Sequence, residues 1–202
     1  MSLEEILSFL FQTYQVWTYG ILFIVLFAET GFVFTPFLPG DSLLFAAGTL
    51  AAAGSLDIRF LFFLLMIAAV AGDSVNYWIG RRIGPKVFFK DQGRLFNRRH
   101  LERSQQFYET HGGKTIFFAR FIPVIRTFAP FLAGIGRMSY RRFFVYNVIG
   151  GIVWVGLFLF TGFFFGQWAF VKEHFSLIIF AIICLSFIPA ILEYLRAKKR
   201  EK

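Results

Sequence analysis

The chain has 202 residues, of which 57% are hydrophobic and 21% are aromatic, and its formal charge at pH 7 is +9. A soluble domain of this length could not bury so much apolar surface, so the composition favours a single membrane domain. Seventeen of the 21 Lys and Arg residues lie in three polar segments, 81–114, 137–142 and 196–202. Basic residues placed between apolar stretches are typical of cytoplasmic loops and argue against a nucleic-acid surface.

The chain begins with a stretch that mixes acidic and apolar side chains. This pattern over residues 1–15 predicts a short helix at the membrane interface, and the apolar residues 16–28 predict a short or tilted span. Residues 31–54 are also apolar, but residues that disfavour a straight helix interrupt them: Pro36, Pro39, Gly40 and Asp41. Because proline removes a backbone donor and clashes with the preceding turn, this segment predicts a re-entrant hairpin whose bend faces a cavity.

Three further spans are predicted along the chain. The first covers residues 58–80, and the basic segment 81–113 that follows predicts an amphipathic helix on the cytoplasmic face. The other two spans are predicted from stretches without charge, residues 143–171 and 175–192. We therefore expect an all-α integral membrane protein with about four transmembrane helices.

A second broken apolar stretch, residues 114–136, contains Pro123 and Pro130 and predicts a second re-entrant hairpin. The distribution of basic residues places both termini in the cytoplasm, so the two hairpins would enter from opposite faces. This order predicts an inverted repeat within one transport domain at 16–196, followed by a basic tail at 197–202. In such transporters the substrate site lies near the bilayer midplane. The alternative is two unrelated kinked segments.

Four ionisable residues lie within or beside the predicted hairpins: Glu29, Asp41, Arg120 and Arg126. Each charge at the centre of a membrane costs about 2.5–3.5 kcal/mol on insertion scales. That cost falls if the two acids face the two arginines in a polar cavity, so we expect them to meet there. A purely structural ion-pair lock is the alternative interpretation.

The chemistry of these side chains suggests a role for each. Arginine keeps its charge and holds phosphate oxygens with two parallel donors, so Arg120 and Arg126 are candidates for binding an anionic headgroup. A carboxylate in a low-dielectric cavity has its charged form disfavoured, so Glu29 and Asp41 are candidates for exchanging protons with the proton gradient.

Other residues are weaker candidates. Asp73, near Asn76 and Tyr77, either joins the polar cavity or bonds to a neighbouring helix. The residues expected to shape the hairpin bends are Pro36, Pro39, Gly40, Pro123 and Pro130. The three histidines have no metal-ligand spacing, no phosphate-binding glycine loop is followed by lysine, and the one cysteine lies in an apolar span. We therefore expect no metal and no cofactor.

Three motifs resemble the bacterial DedA family, which shares a domain with lipid scramblases of the eukaryotic endoplasmic reticulum. They are ETGFVFTPFLPGDSLLFAAG at 29–48, GDSVNYWIGRRIG at 72–84 and the segment 111–143 around FARFIPVIR. The resemblance covers residues 16–196 and implies two opposed re-entrant hairpins in the bacterial inner membrane. It also implies transport of undecaprenyl phosphate or a phospholipid, dependent on the proton-motive force. Its paired acids match Glu29 and Asp41, and its paired arginines match Arg120 and Arg126.

The leading hypothesis is therefore a proton-driven lipid flippase whose partners are membrane lipid and protons, with no nucleic acid and no enzymatic activity. A passive scramblase would need the cavity without the proton coupling. A lipid phosphatase would need a nucleophile or base beside the arginines, which their motif does not contain. A structural or assembly factor is the remaining alternative. The sequence leaves open which lipid is carried, the coupling ion, the direction of transport and whether the protein forms oligomers.

Overall fold

The computed structural model describes residues 3–32, 40–88 and 113–168, and in these parts every regular element is a helix. In chain order the six helices are α1 (Leu3–Gly31), α2 (Gly40–Ala52), α3 (Ile58–Phe88), α4 (Lys114–Ala119), α5 (Pro123–Ile135) and α6 (Tyr140–Phe165). The predicted all-α class is confirmed for this part of the chain. The predicted span at 175–192, the tail at 197–202, most of the basic segment 81–113 and both Pro36 and Pro39 lie outside the described residues.

Two helices are long and apolar enough to cross a membrane. Their apolar parts, Ile58–Ile83 and Tyr140–Phe165, each contain 26 residues. At 1.5 Å per residue each extends about 39 Å, which exceeds the ~30 Å of a hydrocarbon core. They correspond to the spans predicted at 58–80 and 143–171. The predicted interfacial helix and the predicted span at 16–28 belong to one continuous helix, α1.

The two long helices α3 and α6 pack side by side in opposite directions. Tyr77 stacks on Phe143, with ring centroids 4.6 Å apart, at one end of the pair. At the other end Phe62 contacts Phe160, with ring centroids 5.7 Å apart. As the residue number rises on α3 it falls on α6, so the pair is antiparallel. All other described helices are arranged around this pair.

Helix α2 lies along α6 at a distance that only glycine allows. A β-carbon at Gly48 would overlap the carbonyl oxygen of Leu159, and one at Gly162 would overlap the carbonyl oxygen of Phe45. Further along, the hydroxyl of Thr49 donates to the carbonyl of Gly162, at 3.3 Å. Small residues of this kind let helix backbones approach closely in membrane proteins.

Helix α5 lies along α3 through the same arrangement of glycines. A β-carbon at Gly134 would overlap the carbonyl oxygen of Tyr77, and one at Gly80 would overlap that of Phe131. The two contacts have the same geometry. On every helix the glycine lies three residues after the residue whose carbonyl oxygen faces the partner glycine: Phe45 and Gly48, Leu159 and Gly162, Phe131 and Gly134, Tyr77 and Gly80. In each contact a short helix from one half of the chain packs on a long helix from the other half.

The short helices α2 and α5 consequently run in opposite directions. Each is parallel to the long helix that it contacts, because residue numbers rise together along both pairs of helices. Asp41 and then Gly48 of α2 lie beside Trp154 and then Gly162 of α6, and Thr127 and then Gly134 of α5 lie beside Asn76 and then Gly80 of α3. The long helices themselves are antiparallel. Their first turns meet inside the molecule, where Arg126 of α5 bonds to Asp41 of α2. The arrangement agrees with an inverted repeat. Entry from opposite faces of a membrane remains a prediction.

The segment 114–136 forms a helical hairpin. Gly113 lies beside Tyr146 and Phe117 beside Gly150, so α4 is parallel to α6 and antiparallel to α5. The chain turns at residues 120–122, where Ile122 has extended backbone angles (φ −118°, ψ 107°). The second predicted hairpin therefore has the expected bend between two helices. In the first, residues 33–39 lie outside the described part, and only α2 is seen.

Candidate functional site

Three helices converge on the side chain of Arg126, which is only 4% exposed. Its Nη2 donates to Glu29, near the end of α1, and its Nη1 donates to Asp41, in the first turn of α2, at 2.9 Å. Glu29 is fully buried, and the side chain of Asp41 is 14% exposed. One cation from the second half of the chain therefore holds two carboxylates from the first half.

The start of α2 also contributes to this group of charges. The backbone N–H of Gly40 donates to Oε1 of Glu29, at 3.1 Å. A β-carbon at Gly40 would overlap the carboxylate of Glu29, so any other residue at this position would require that carboxylate to move. The free N–H groups and the dipole at the start of a helix favour negative charge, and here they face a carboxylate.

Trp154 of α6 contacts both partners of one of these ion pairs. Its ring lies 4.6 Å from the guanidinium carbon of Arg126, and its indole N–H donates to Oδ1 of Asp41, at 2.9 Å. The side chain is fully buried. We name the group of Glu29, Asp41, Arg126 and Trp154 the Arg126 cluster.

Arg120 has a separate set of partners. Its Nη2 donates to Oδ2 of Asp73 on α3, at 2.5 Å, and to the side-chain oxygen of Asn147 on α6. Asn147 in turn donates to the carbonyl of Val70, at 3.0 Å. Arg120 is 2% exposed and Asp73 is 1% exposed. We name Arg120, Asp73 and Asn147 the Arg120 cluster.

Two adjacent glycines on α6 make room for Arg120. A β-carbon at Gly150 would lie 2.9 Å from Cδ of Arg120, and one at Gly151 would lie 3.6 Å from its Nη1. Oδ1 of Asp73 and both Nε and Nη1 of Arg120 are buried without a hydrogen-bond partner among the described residues. Buried polar atoms in this state are the ones that ordered water or a ligand satisfies.

Asn76 and Tyr77 differ in their relation to these clusters. The side-chain amide of Asn76 donates to the carbonyls of Thr30, at 3.2 Å, and Thr127, at 2.8 Å, and so joins α1, α3 and α5 beside the charges. The hydroxyl of Tyr77 donates to the carbonyl of Met138 and accepts from Arg81, at 2.7 Å. Tyr77 therefore points away from both clusters, toward one end of the helix bundle.

The pairing differs in one respect from the sequence expectation. All four expected residues are buried or nearly so, but both Glu29 and Asp41 bond to Arg126, and Arg120 is paired with Asp73. The described centre thus contains three acids and two arginines. For Asp73 the sequence left open a cavity role or a bond to a neighbouring helix, and the structure shows an ion pair to the bend before α5.

The described hairpin residues lie at helix starts or within a helix. Gly40 is the first residue of α2, and Pro123 is the first residue of α5, where a missing N–H and a fixed φ suit a helix N-terminus. Pro130 lies inside α5 and has no N–H to donate to the carbonyl of Arg126, four residues earlier.

Trp154 and Asn147 were not singled out from the sequence. Both lie in the charge-free stretch 143–171, whose apolar character predicts only a span. A buried asparagine in such a stretch is itself a signal, because its amide must find partners inside the membrane domain. No corresponding signal distinguishes Trp154 from the other aromatic residues around it. Among the described residues, no group of three or more His, Cys, Asp or Glu residues could hold a metal ion.

The exterior of the described part is the reverse of its centre. Large apolar side chains are exposed along the long helices and α1, among them Val16, Ile24, Phe63 and Phe164, at 70%, 64%, 58% and 66%. A soluble protein rarely exposes so extensive an apolar surface, whereas lipid solvates it. Charged residues inside and apolar residues outside define a helical integral membrane protein with a polar centre.

Comparisons with known proteins agree with this class. The model of the VTT domain matches residues 38–164. The chain is 51% identical to Protein DedA of Escherichia coli, over 98% of this chain and 92% of that protein. It is 42% identical to an uncharacterized membrane protein of Mycobacterium tuberculosis, over 91% and 81%. It is 33% identical to Inner membrane protein YghB of Escherichia coli, over 77% and 71%. The chain belongs to the DedA family of VTT-domain membrane proteins, and no solved structure matches it.

Proposed function

We propose that this protein moves an anionic lipid, undecaprenyl phosphate or a phospholipid, between the leaflets of the bacterial inner membrane, driven by the proton-motive force. The observation that carries the proposal is Arg126, which is buried and shared by two carboxylates at the junction of the two halves of the fold. The location in the inner membrane is supported by the names of similar proteins, which include two inner membrane proteins of Escherichia coli.

The charges of the two clusters support proton coupling. In the Arg120 cluster one arginine faces one acid, and the ion pair is neutral. In the Arg126 cluster one arginine faces two acids, which leaves one negative charge in excess when both acids are ionised. Among the described residues this excess charge has no second cation beside it, and net charge inside a membrane is unfavourable, so a single proton on Glu29 or Asp41 would neutralise the cluster. These are the two acids that the sequence indicated.

A phosphate headgroup, like the two carboxylates that bind Arg126, is an oxyanion that accepts hydrogen bonds from guanidinium. Guanidinium binds either group through parallel N–H donors, so phosphate could displace Glu29 or Asp41 from Arg126. A displaced carboxylate in a buried site would take up a proton and keep the cluster near neutral. The N-terminus of α2 adds a second favourable environment for an anion. Lipid binding and proton uptake would be coupled in this way.

The alternatives make different demands on the same residues. A passive scramblase needs the polar centre but does not need acids that exchange protons. A structural lock needs only the ion pairs. A lipid phosphatase needs a base or nucleophile beside the arginines, and the three histidines of the sequence, at positions 100, 111 and 174, lie outside the described residues. We favour a transporter over an enzyme because the carboxylates beside both arginines are held in ion pairs with them.

The decisive experiment is reconstitution into liposomes that contain labelled lipid phosphate, with and without a pH gradient. The wild-type protein should move the lipid faster with the gradient, and Glu29→Gln and Asp41→Asn should each abolish the gradient-dependent part. Asp57→Asn is the matched control, because Asp57 is an exposed acid at the start of α3 and should leave transport unchanged.

Each alternative has its own outcome in this assay. Gradient-independent movement in the wild type and in both variants would indicate a passive scramblase. Released inorganic phosphate would indicate a phosphatase. Absence of lipid movement in well-folded wild-type protein would contradict the proposal and leave a structural or assembly role.

A further inference from the structure

We infer that Trp154 is a positioning residue that holds Arg126 in place while carboxylates and a headgroup phosphate exchange on its guanidinium. This inference rests on the proposed function, in which Arg126 binds the phosphate. Trp154 belongs to α6, whereas the two acids of the Arg126 cluster belong to α1 and α2. It is therefore anchored on a different helix from the acids that would be released.

The ring of Trp154 offers Arg126 a contact that does not depend on the charge of the acids. Indole carries a permanent negative face, and a desolvated cation over such a ring gains stability from it. If Glu29 or Asp41 were protonated or displaced, the ion pair would weaken, but the ring would still lie 4.6 Å from the guanidinium carbon. Arg126 would then keep its place at the moment when it exchanges partners.

The indole N–H of Trp154 makes a contact with Asp41 that is likewise independent of the charge of the acid. It donates to Oδ1 of Asp41, and a carboxyl oxygen can accept this bond both in the ionised form and as the carbonyl oxygen of the protonated form. The close packing of Gly48 and Gly162 between α2 and α6 holds Asp41 and Trp154 at a fixed separation. Trp154 therefore connects Arg126 and Asp41 in both protonation states.

The ring contact also leaves the N–H donors of Arg126 available to a ligand. The ring lies over the guanidinium carbon and accepts no hydrogen bond from it, so an anion would bind to the N–H groups at the edge of the guanidinium. Nη1 and Nη2 donate to the acids, while Nε is buried without a hydrogen-bond partner among the described residues. Edge-on binding through two parallel donors is the geometry that phosphate and carboxylate prefer. The cluster is thus arranged for an oxyanion and not for an uncharged headgroup.

Two substitutions separate the ring contact from the hydrogen bond. Trp154→Phe keeps an aromatic face and loses the N–H, so the half-saturating concentration of lipid phosphate should rise about tenfold. Trp154→Leu loses both contacts, and the rise should be on the order of a hundredfold. Trp78→Phe and Trp78→Leu are matched controls, because Trp78 also lies near an arginine, 5.7 Å from Arg81, but outside the charged centre. Both controls should behave like the wild type.

Fluorescence provides a measurement that a merely structural role would not affect. The chain contains four tryptophans, so a Trp17→Phe, Trp78→Phe, Trp168→Phe protein reports on Trp154 alone. All three replaced residues are exposed on the described surface. A short-chain prenyl phosphate should change the emission, the corresponding prenyl alcohol should not, and Arg126→Gln should remove the response.

The inference is wrong if the emission does not respond to the prenyl phosphate, or if Trp154→Leu retains the wild-type half-saturating concentration. It is also wrong if the alcohol produces the same response as the phosphate. The emission assay does not require transport. If the wild type moves no lipid phosphate, the proposed function fails, and the response of Trp154 to the prenyl phosphate still decides its role beside Arg126.

Discussion

Arg120 and Arg126 lie six residues apart in the sequence, but the structure gives them different surroundings. Arg120 pairs with a single acid, Asp73, so its cluster is electrically neutral. The same nitrogen also bonds to Asn147, and the cluster thereby joins α3 to α6. Arg126 faces two acids and an aromatic ring. By this count of charges, uptake of one proton neutralises the Arg126 cluster but leaves the Arg120 cluster with a net charge. At the residue scale we therefore expect the first cluster to hold the fold together and the second to change its charge.

Substitution of Asp73 tests the role of the Arg120 cluster. Asp73→Asn leaves Arg120 buried without a counter-charge, which should lower the free energy of unfolding by about 3–5 kcal/mol. The double variant Asp73→Asn, Asn147→Asp moves the carboxylate to the other oxygen that already bonds to Nη2, and it should recover more than half of that loss. Thermal unfolding in detergent measures both.

Ser74→Ala is the control for this prediction, because Ser74 follows Asp73 on α3 and its hydroxyl donates only to the carbonyl of Val70, at 2.7 Å. It should unfold within about 1 kcal/mol of the wild type. Equal stability of Asp73→Asn and Ser74→Ala would show that Arg120 does not need its acid.

At the scale of elements, the fold depends on two glycine-mediated contacts between helices from different halves of the chain. Gly48 and Gly162 bring α2 against α6, and Gly134 and Gly80 bring α5 against α3. In a membrane the helices cannot gain from hydrophobic burial against one another, so close packing of backbones is a main source of their association. The two contacts hold the first turns of α2 and α5 where they meet.

Substitution of glycine by alanine should destabilise the protein at these contacts but not at ordinary helix positions. Gly162→Ala and Gly80→Ala place a β-carbon against a backbone carbonyl that cannot rotate away, so each should destabilise the protein by about 1–3 kcal/mol and displace the short helix. Transport should fall with the displacement, because Asp41 and Arg126 would move apart. Thermal unfolding and the liposome assay measure the two effects.

Two other glycines are matched controls. Among the described residues, a β-carbon at Gly156, on the same helix as Gly162, would make only ordinary contacts with the rings of Phe62, at 3.5 Å, and Phe160, at 3.9 Å, and one at Gly20 would have nothing within 4 Å. Both alanine variants should be as stable as the wild type or more stable by about 0.5–1 kcal/mol, because alanine is the better helix former. If Gly162→Ala and Gly156→Ala are equally stable, the close approach of α2 and α6 is not required.

At the scale of the whole molecule, the described basic residues are concentrated at one end of the bundle. Five exposed arginines lie in the last third of α3, in the loop after α5 or in the first turn of α6: Arg81, Arg82, Arg137, Arg141 and Arg142. The contact of Trp78 with Tyr140, with ring centroids 5.4 Å apart, shows that these two regions are neighbours. The opposite end, at the start of α3, has Asp57 and Arg59, whose charges cancel. The asymmetry predicts that the arginine-rich end faces the cytoplasm.

Labelling of introduced cysteines tests this orientation. In a Cys184→Ser background, Arg59→Cys should react with a membrane-impermeant maleimide from outside the cell, and Arg141→Cys should react only after the membrane is opened, because both positions are exposed at opposite ends of the bundle. The cysteine-free protein is the control for background labelling. The reverse pattern would invert the predicted orientation and the predicted faces of both hairpins.

The sequence by itself determined the class of protein and much of its charged centre. Long apolar stretches can be stable only in lipid, and charges within them are expensive unless they meet, so Glu29, Asp41, Arg120 and Arg126 could be selected without a structure. The prolines of the second broken stretch likewise predicted a bend, which the structure places at residues 120–122. These inferences depend on local composition, which the sequence contains in full.

Only the tertiary structure decided which acid pairs with which arginine. Asp73 and Asn147 reach Arg120, and Trp154 reaches Arg126, across 47, 27 and 28 residues of sequence, because the glycine contacts bring short and long helices of different halves together. The sequence of an apolar stretch does not predict which neighbouring helix its few polar side chains will contact. Partner choice depends on the packing of distant backbones, and it is this packing that left the Arg126 cluster with one acid more than its arginine can neutralise.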